Sequence, residues 1–310
     1  MSFETDLLLD RRRLKRRLSL WRVVAVLAVL GCALLVIGRG TETVSLGAHV
    51  ARLSINGLIT EQRPLLAAIH QVALDDSAKA MIVSINSPGG SVGGGESLYA
   101  AIAEVAAKKP VVAVMGGTAA SAGYMIAMPA VRIFARGTTI TGSIGVILET
   151  GEASGLLGKL GLTAEAITSG PLKDQPSFTR PLTPQGRDVL HGLVMDMYEQ
   201  FVSMVAIGRG MAPARVVELA DGRAYSGRQA LQLGLVDALG GEAEARNWLA
   251  QEKAVPASLP ARDIVTGGWA ERTFFGATDG VFGGLLKTVL NQGLSLDGAW
   301  AVWQPSRQND

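Results

Sequence analysis

Ser121 lies in the stretch AASAGYMIAMPA, Ala119 to Ala130, with alanines and a glycine as its neighbours. Small side chains leave its hydroxyl open to close approach, as a nucleophile requires, but they serve equally well to let two elements pack. The stretch is one residue short of G-x-S-x-G, because Ala119 stands where the first glycine belongs, so the motif alone separates neither reading. A serine hydroxyl is a weak nucleophile until a neighbouring base takes its proton. The chain has three histidines, His49, His70 and His191, and none lies between His70 and His191. His70 and His191 fall inside amphipathic helical patterns and His49 near the start of the domain, where ordinary helix and surface roles account for them. A Ser-His-Asp triad is therefore poorly supported.

Lysine is the alternative base. After Ser121 the chain contains only Lys159, Lys173, Lys253 and Lys287. Lys253 and Lys287 lie in the C-terminal tail, and Lys159 sits in GLLGKLGL, a short helical pattern where a solvated ammonium suffices. Lys173, in TSGPLKDQPS, follows a strand and a turn, and that loop can carry it to the edge of a site. A lysine acts as a base only when neutral, which an apolar cleft poor in carboxylates favours. Asp174 adjoins it, and the sequence leaves the direction of that side chain open. Acyl transfer also needs donors for the oxyanion. The glycines of NSPGG expose backbone N–H groups, and the N–H of Ala122, directly after the serine and near a helix start, supplies a second. The competing reading of SPGGSVGGG is a phosphate-cradling loop, but it has neither the lysine of G-x-x-x-x-G-K-[ST] nor the spacing of G-x-G-x-x-G.

These groups need a scaffold. ARLSING (51–57) alternates as a strand, PLLAAIHQVAL has helical spacing, and KAMIVSI (79–85) is a buried strand running into the glycine-rich loop. A helix is predicted from about Glu96 to Ala107, then a strand in KKPVVAVMGG, then a helical segment opened by Ser121. RIFARG and TITGSIGVILE read as further strands. Alternating strands and helices indicate βαβ units and a largely parallel α/β sheet, whose functional groups lie in loops at the C-terminal ends of strands. Gly89, Gly90 and Ser121 all occupy such loops. From Thr183 a Thr-Pro start predicts a long amphipathic helix ending at Gly208. The tail beyond Gln251 is Gly/Ala-rich, with an amphipathic piece at VFGGLLKTVLNQGL.

At 310 residues and 48% apolar, with 38 glycines, the chain is long enough for one large packed domain. Much of its net charge of +2 comes from RRRLKRR, residues 11–17, and the mildly acidic remainder argues against nucleic-acid binding. Its single cysteine, Cys32, excludes an intrachain disulfide and a cysteine-based metal site. LSLWRVVAVLAVLGCALLVIG, residues 18–38, suffices to cross a bilayer if Arg22 snorkels and Trp21 sits at the interface. A cleaved signal peptide finds no clean A-x-A site, and VLGC only faintly matches a lipoprotein box. The expected organisation is a basic cytoplasmic N-terminus over 1–17, a transmembrane anchor over 18–39, a catalytic domain over 45–250 and an extension over 251–310. The positive N-terminal side places that end in the cytoplasm and the domain outside it.

Taken together, INSPGGSV, KKPVVAVM, AASAGYMIA, TGSIGVI, SGPLKD and GRGMAPARVVELADGRAYSGRQALQLGLVDALGG resemble bacterial signal peptide peptidases of the SppA type. They occur in that family's order over roughly residues 50–250. The resemblance implies the Clp protease/crotonase-like fold of repeated ββα/βαβ units and a Ser-Lys dyad serine peptidase of family S49. It places Ser121 as nucleophile, Lys173 as general base, Ser143 as the hydroxyl orienting the lysine, and Gly90 and Ala122 as oxyanion-hole positions. The family usually has glycine where Ala122 stands, but a backbone N–H is all that role needs. The resemblance further implies no cofactor or metal, apolar peptide substrates such as signal peptide remnants, and a dome-like homo-oligomeric ring, an octamer in the family. In that ring neighbouring subunits contribute serine and lysine. Attachment to the bacterial inner membrane, through lipid contact of the N-terminal anchor, follows from the same likeness. Two alternatives use the same fold: a non-catalytic scaffold that binds apolar peptides, and an acyl-CoA-binding crotonase relative.

Overall fold

The computed structural model describes residues 47–265, the strand Trp300–Val302 and Trp21. The chain divides into two units, Met1–Gly47 and Ala48–Asp310. The second is built on a mostly parallel sheet, as the alternation of strands and helices predicts. Its strands are β1 (His49–Asn56), β2 (Ala78–Ser87), β4 (Val111–Ala120), β5 (Arg132–Ala135), β6 (Ile140–Gly142), β7 (Ala224–Ser226), β8 (Ala238–Leu239) and β9 (Ala261–Asp263). The order is β7-β6-β4-β2-β1-β9, with β5 pairing both β4 and β8. Only β6 and β7 pair antiparallel within it. A short strand, β3 (Gly89–Ser91), stands outside this sheet.

The unbroken apolar run of β2 follows from burial on both faces, the usual condition of a parallel strand. Ala80 and Ile82 point to one side, where they pack with Val50, Val112, Phe134 and Leu249. Met81, Val83 and Ile85 point to the other and join the larger core. Helices α1 (Arg63–Leu74), α2 (Val92–Ala106), α3 (Ala122–Met125) and α5 (Pro184–Arg209) supply that larger core. Helix α8 (Glu242–Glu252) covers the smaller face. Between them lie α4 (Ser154–Lys159), α6 (Pro213–Leu219) and α7 (Gly227–Gln232).

Several boundaries depart from the sequence expectation for identifiable reasons. Helix α2 begins at Val92, not Glu96, and takes in the glycine run. Ser91 caps it, its Oγ accepting from the Gly94 N–H at 3.2 Å. Gly95 is closely packed: a Cβ there would lie 3.0 Å from the Met125 sulfur and 3.1 Å from the Ala122 Cβ. Helix α5 starts as predicted, with the Thr183 hydroxyl accepting from the Gly186 N–H at 3.0 Å, and ends on a left-handed Gly210 with φ 61°. The sheet also extends past residue 250, since β9 pairs in parallel with β1.

Helix α3 is only four residues long and is held by its tyrosine. Tyr124 is fully buried, and its hydroxyl donates to the Leu235 carbonyl at 2.7 Å. Burial pushes its phenol well above the ordinary tyrosine range. Beside it, Arg209 donates to both Asp237 carboxylate oxygens (3.0 and 2.6 Å) and to the Gly234 carbonyl (2.9 Å). Tyr124→Phe leaves the Leu235 carbonyl buried without its donor. The expected loss is about 1–3 kcal/mol of stability, read as a lower denaturant midpoint at unchanged slope.

Among the described residues no helix is long and apolar enough to cross a membrane. The expected anchor over 18–39 lies outside the described residues apart from Trp21, as does VFGGLLKTVLNQGL.

Candidate active site

The site forms where β4 runs into α3. The first part of β4 pairs with β5 (Val112 to Met115) and its end with β6 (Thr118 to Ala120). That switch of partner delivers Ser121 beside the end of β6. Its N–H donates to the Gly142 carbonyl at 2.8 Å, and its own carbonyl accepts from Tyr124 (2.8 Å) and Met125 (2.9 Å). Its backbone is held at φ 57°, ψ −121°, a region serine rarely occupies, at a cost of about 1–3 kcal/mol. This is a sharp strand-to-helix turn of the kind that can present a nucleophile, reached without the full G-x-S-x-G pattern. Ser121 is only 1% exposed, and its Oγ is buried with no hydrogen-bond partner. A buried hydroxyl left unpaired is costly, which favours a site completed by another group.

Ser143 follows directly on Gly142 and is buried, with φ 48°. Its N–H donates to the Arg223 carbonyl at 2.9 Å. Gly142 itself has φ 76°, and a Cβ there would come within 2.6 Å of the Tyr225 ring, so two separate constraints demand glycine. The structure thus brings Ser121 and Ser143 together through one peptide carbonyl.

Gly90 and Ala122 lie on separate elements, β3 and α3. Ala122 is the first residue of α3, so its N–H has no carbonyl one turn back to receive it. Gly90 sits in β3, which forms a parallel bridge to Ile59. In that bridge the Ile59 N–H donates to the Gly89 carbonyl (2.8 Å) and the Ser91 N–H to the Ile59 carbonyl (2.9 Å). Strand alternation therefore turns the N–H and C=O of Gly90 away from Ile59, toward the edge of β3 that pairs antiparallel with β10 (Trp300–Val302). A Cβ on Gly90 would lie 1.9 Å from the Ile59 oxygen, so only glycine permits this approach.

Sequence reasoning missed two parts of this arrangement. Ser87 is fully buried, and its Oγ accepts from the Gly89 N–H at 3.1 Å and donates to the Gly89 carbonyl at 3.2 Å, shaping the turn that leads into β3. The SP dipeptide was its one visible signal. Ile59 acts through its backbone alone and leaves no side-chain trace to read.

Lys173 stands apart from the other expected site residues. It is exposed in the single chain, its N–H donating to the Gly170 carbonyl at 3.1 Å. The carboxylate of Asp174 is engaged by Arg180 and is thereby tied away from the ammonium. Among the described residues no lysine and no histidine meets the Ser121 hydroxyl. His49 pairs with Ser77 and Asp75, and His70 with Glu104. The segment that carries Lys173 is apolar on its surface: Leu156, Leu160, Leu162 and Phe178 are exposed, and Ile167 is 98% exposed. Exposed apolar side chains gathered in one segment are the kind of surface that another molecule covers.

Comparison with known proteins gives two family matches. Residues 103–256 match the family model described as Peptidase family S49, and residues 53–140 match Clp protease. The second match agrees with the parallel sheet and crossovers described above. A putative protease of Synechocystis is 44% identical over 203 residues, covering 65% of this chain and 73% of that one. A putative signal peptide peptidase SppA of Enterococcus faecium is 36% identical over 231 residues, covering 68% and 67%. Protease 4 of Salmonella typhi is 35% identical over 204 residues, but these cover 63% of this chain and only 33% of that much longer protein.

Proposed function

Because the chain belongs to peptidase family S49, we propose that it is a membrane-anchored serine endopeptidase in which Ser121 is the nucleophile and Lys173 of a neighbouring copy the general base. The observation that carries this reading is the buried, unpartnered Oγ of Ser121 on a strained turn, with the base candidate exposed elsewhere on the same chain. The apolar segment around Lys173 is the surface a second copy would cover, in a closed ring of like subunits. Covering it would also take water from the ammonium and so favour the neutral lysine that a base must be.

The reaction then runs as an acyl transfer. The neutral amine accepts the Ser121 proton as Oγ attacks the peptide carbonyl carbon. The N–H groups of Gly90 and Ala122 receive the developing oxyanion. Ser143 holds the lysine in line, and the protonated amine passes its proton to the departing peptide nitrogen. Water, deprotonated by the same lysine, hydrolyses the ester. Extended apolar peptides such as signal peptide remnants suit the edge of β3 that β10 takes, where a substrate strand adds by main-chain hydrogen bonds in its place.

A fluorophosphonate probe applied to the full-length protein tests nucleophile and base together. Labelling is expected on Ser121 in the wild type and lost in both Ser121→Ala and Lys173→Ala. Undiminished labelling of Lys173→Ala would remove the lysine from the mechanism. An unlabelled wild type would favour the non-catalytic scaffold.

A further inference from the structure

The peptide unit between Gly142 and Ser143 is held from both sides. Its carbonyl accepts from the Ser121 N–H at 2.8 Å, and its N–H donates to the Arg223 carbonyl at 2.9 Å. In a trans peptide these two groups point in opposite directions, so the plane is fixed between the turn of Ser121 and the turn before β7. Ser143 needs that restraint, because its φ of 48° is one that serine rarely holds unless its surroundings impose it.

The direction of the Arg223 carbonyl is set in turn by Asp221. Its Oδ1 accepts from the Arg223 N–H at 3.1 Å, closing an Asx turn over Gly222, whose φ is 88°. The Arg223 side chain folds back on the same carboxylate, its Nε donating to Oδ1 at 2.9 Å and to Oδ2 at 2.7 Å. These bonds hold the Asp221 carboxyl below the usual carboxylate range, so the pair is ionised at neutral pH. The turn also packs on the loop that follows Ser143: a Cβ on Gly145 would lie 3.5 Å from the Gly222 Cα. Both side chains are exposed, and an exposed ion pair adds little to global stability. Its effect is on geometry, and that geometry ends at Ser143.

We infer that Asp221 is a positioning residue for catalysis, acting through the Arg223 carbonyl and the Gly142–Ser143 peptide on the hydroxyl of Ser143. This role rests on that of Ser143 in the proposed reaction, which is to hold the lysine in line. A misplacement of about 1 Å in such an alignment can cost on the order of 10²-fold in rate. The turn requires an acceptor oxygen at Oδ1, which a carboxamide also supplies.

Kinetics of the full-length protein in detergent, on an added apolar peptide, test the inference. Asp221→Ala is expected to lower kcat by about 10-fold or more, with KM and Tm close to wild type. Asp221→Asn keeps the acceptor and is expected to restore most of the wild-type kcat. In a Ser143→Ala background, Asp221→Ala is expected to add nothing to the loss that Ser143→Ala causes alone, because both act through one hydroxyl. Losses that multiply in the double variant overturn the inference and leave the role of Ser143 standing. Wild-type kcat in Asp221→Ala, or equal losses in Asp221→Ala and Asp221→Asn, overturn it as well. A Ser143→Ala enzyme with wild-type kcat removes Ser143 from the reaction and this role of Asp221 with it. A wild type that does not cleave the peptide overturns the peptidase reading itself.

Discussion

Ser121→Ala and Lys173→Ala, each expressed alone, are expected to lose peptide cleavage by about 10⁴-fold or more, and the two expressed together to regain it. The loss follows from removing either member of a unit that works only as a pair. The recovery follows from geometry. Within one chain the Ser121 hydroxyl is buried without a partner among the described residues and Lys173 is exposed, so the proposed dyad is not closed within a single subunit. If neighbouring copies supply the two residues, Ser121 from a Lys173→Ala subunit can meet Lys173 from a Ser121→Ala subunit. Random assembly of equal amounts makes about one site in four intact in a closed ring, and roughly a quarter of wild-type kcat is the expected yield. Differently tagged subunits, co-purified to select mixed assemblies, permit the measurement. A mixed assembly as inactive as either parent would mean that each chain closes its own dyad after a rearrangement of residues 147–182. Neither variant should disturb the fold, since Lys173 is exposed and Ser121 makes no side-chain hydrogen bond.

How far the sequence carries this picture depends on the range of the interaction. Local signals were legible. Thr183 and Pro184 announce the start of α5, and the continuous apolar run of β2 announces a strand buried on both faces. Ser121 was singled out by its small neighbours, and Lys173 by the absence of histidine between residues 70 and 191 and the scarcity of lysine after 121. Contacts set by register between distant segments were not legible. The GGG of Gly93–Gly95 reads as a loop by composition, yet it is helix, with Gly94 packed so closely on the Thr60 backbone that a Cβ would lie 2.8 Å from its carbonyl carbon. The clamp from Ile59 onto β3 is made entirely by backbone atoms, which any residue type supplies. The extension after residue 250 showed no motif, yet it contributes β9 to the sheet and β10 to the edge of β3. Strand addition of this kind uses main-chain groups, so composition does not encode it.

Gly90→Ala tests the proposed oxyanion position by displacing its backbone donor. The backbone angles of Gly90 are not the obstacle, since its φ is not among the positive ones. The obstacle is contact: the new methyl would lie 1.9 Å from the Ile59 oxygen, 2.5 Å from its nitrogen and 2.6 Å from its carbonyl carbon. All three are backbone atoms and cannot swing aside, so β3 must move or the Ile59 bridge must open. Opening it breaks hydrogen bonds of 2.8 and 2.9 Å. The expected cost in stability is about 1–3 kcal/mol, visible as a lower Tm. Moving β3 displaces the Gly90 N–H from the oxyanion, and loss of one such donor lowers kcat by about 10²–10³-fold. The two effects separate, because kcat is measured well below the lowered Tm on the folded fraction. Gly93→Ala is the matched control. It lies three residues away, exposed, with nothing within 4 Å of its would-be Cβ. Being helical, it should leave kcat unchanged and raise stability by up to about 1 kcal/mol. A Gly90→Ala enzyme with wild-type kcat would mean that the oxyanion is held without Gly90, and that the close approach of Ile59 serves only the fold.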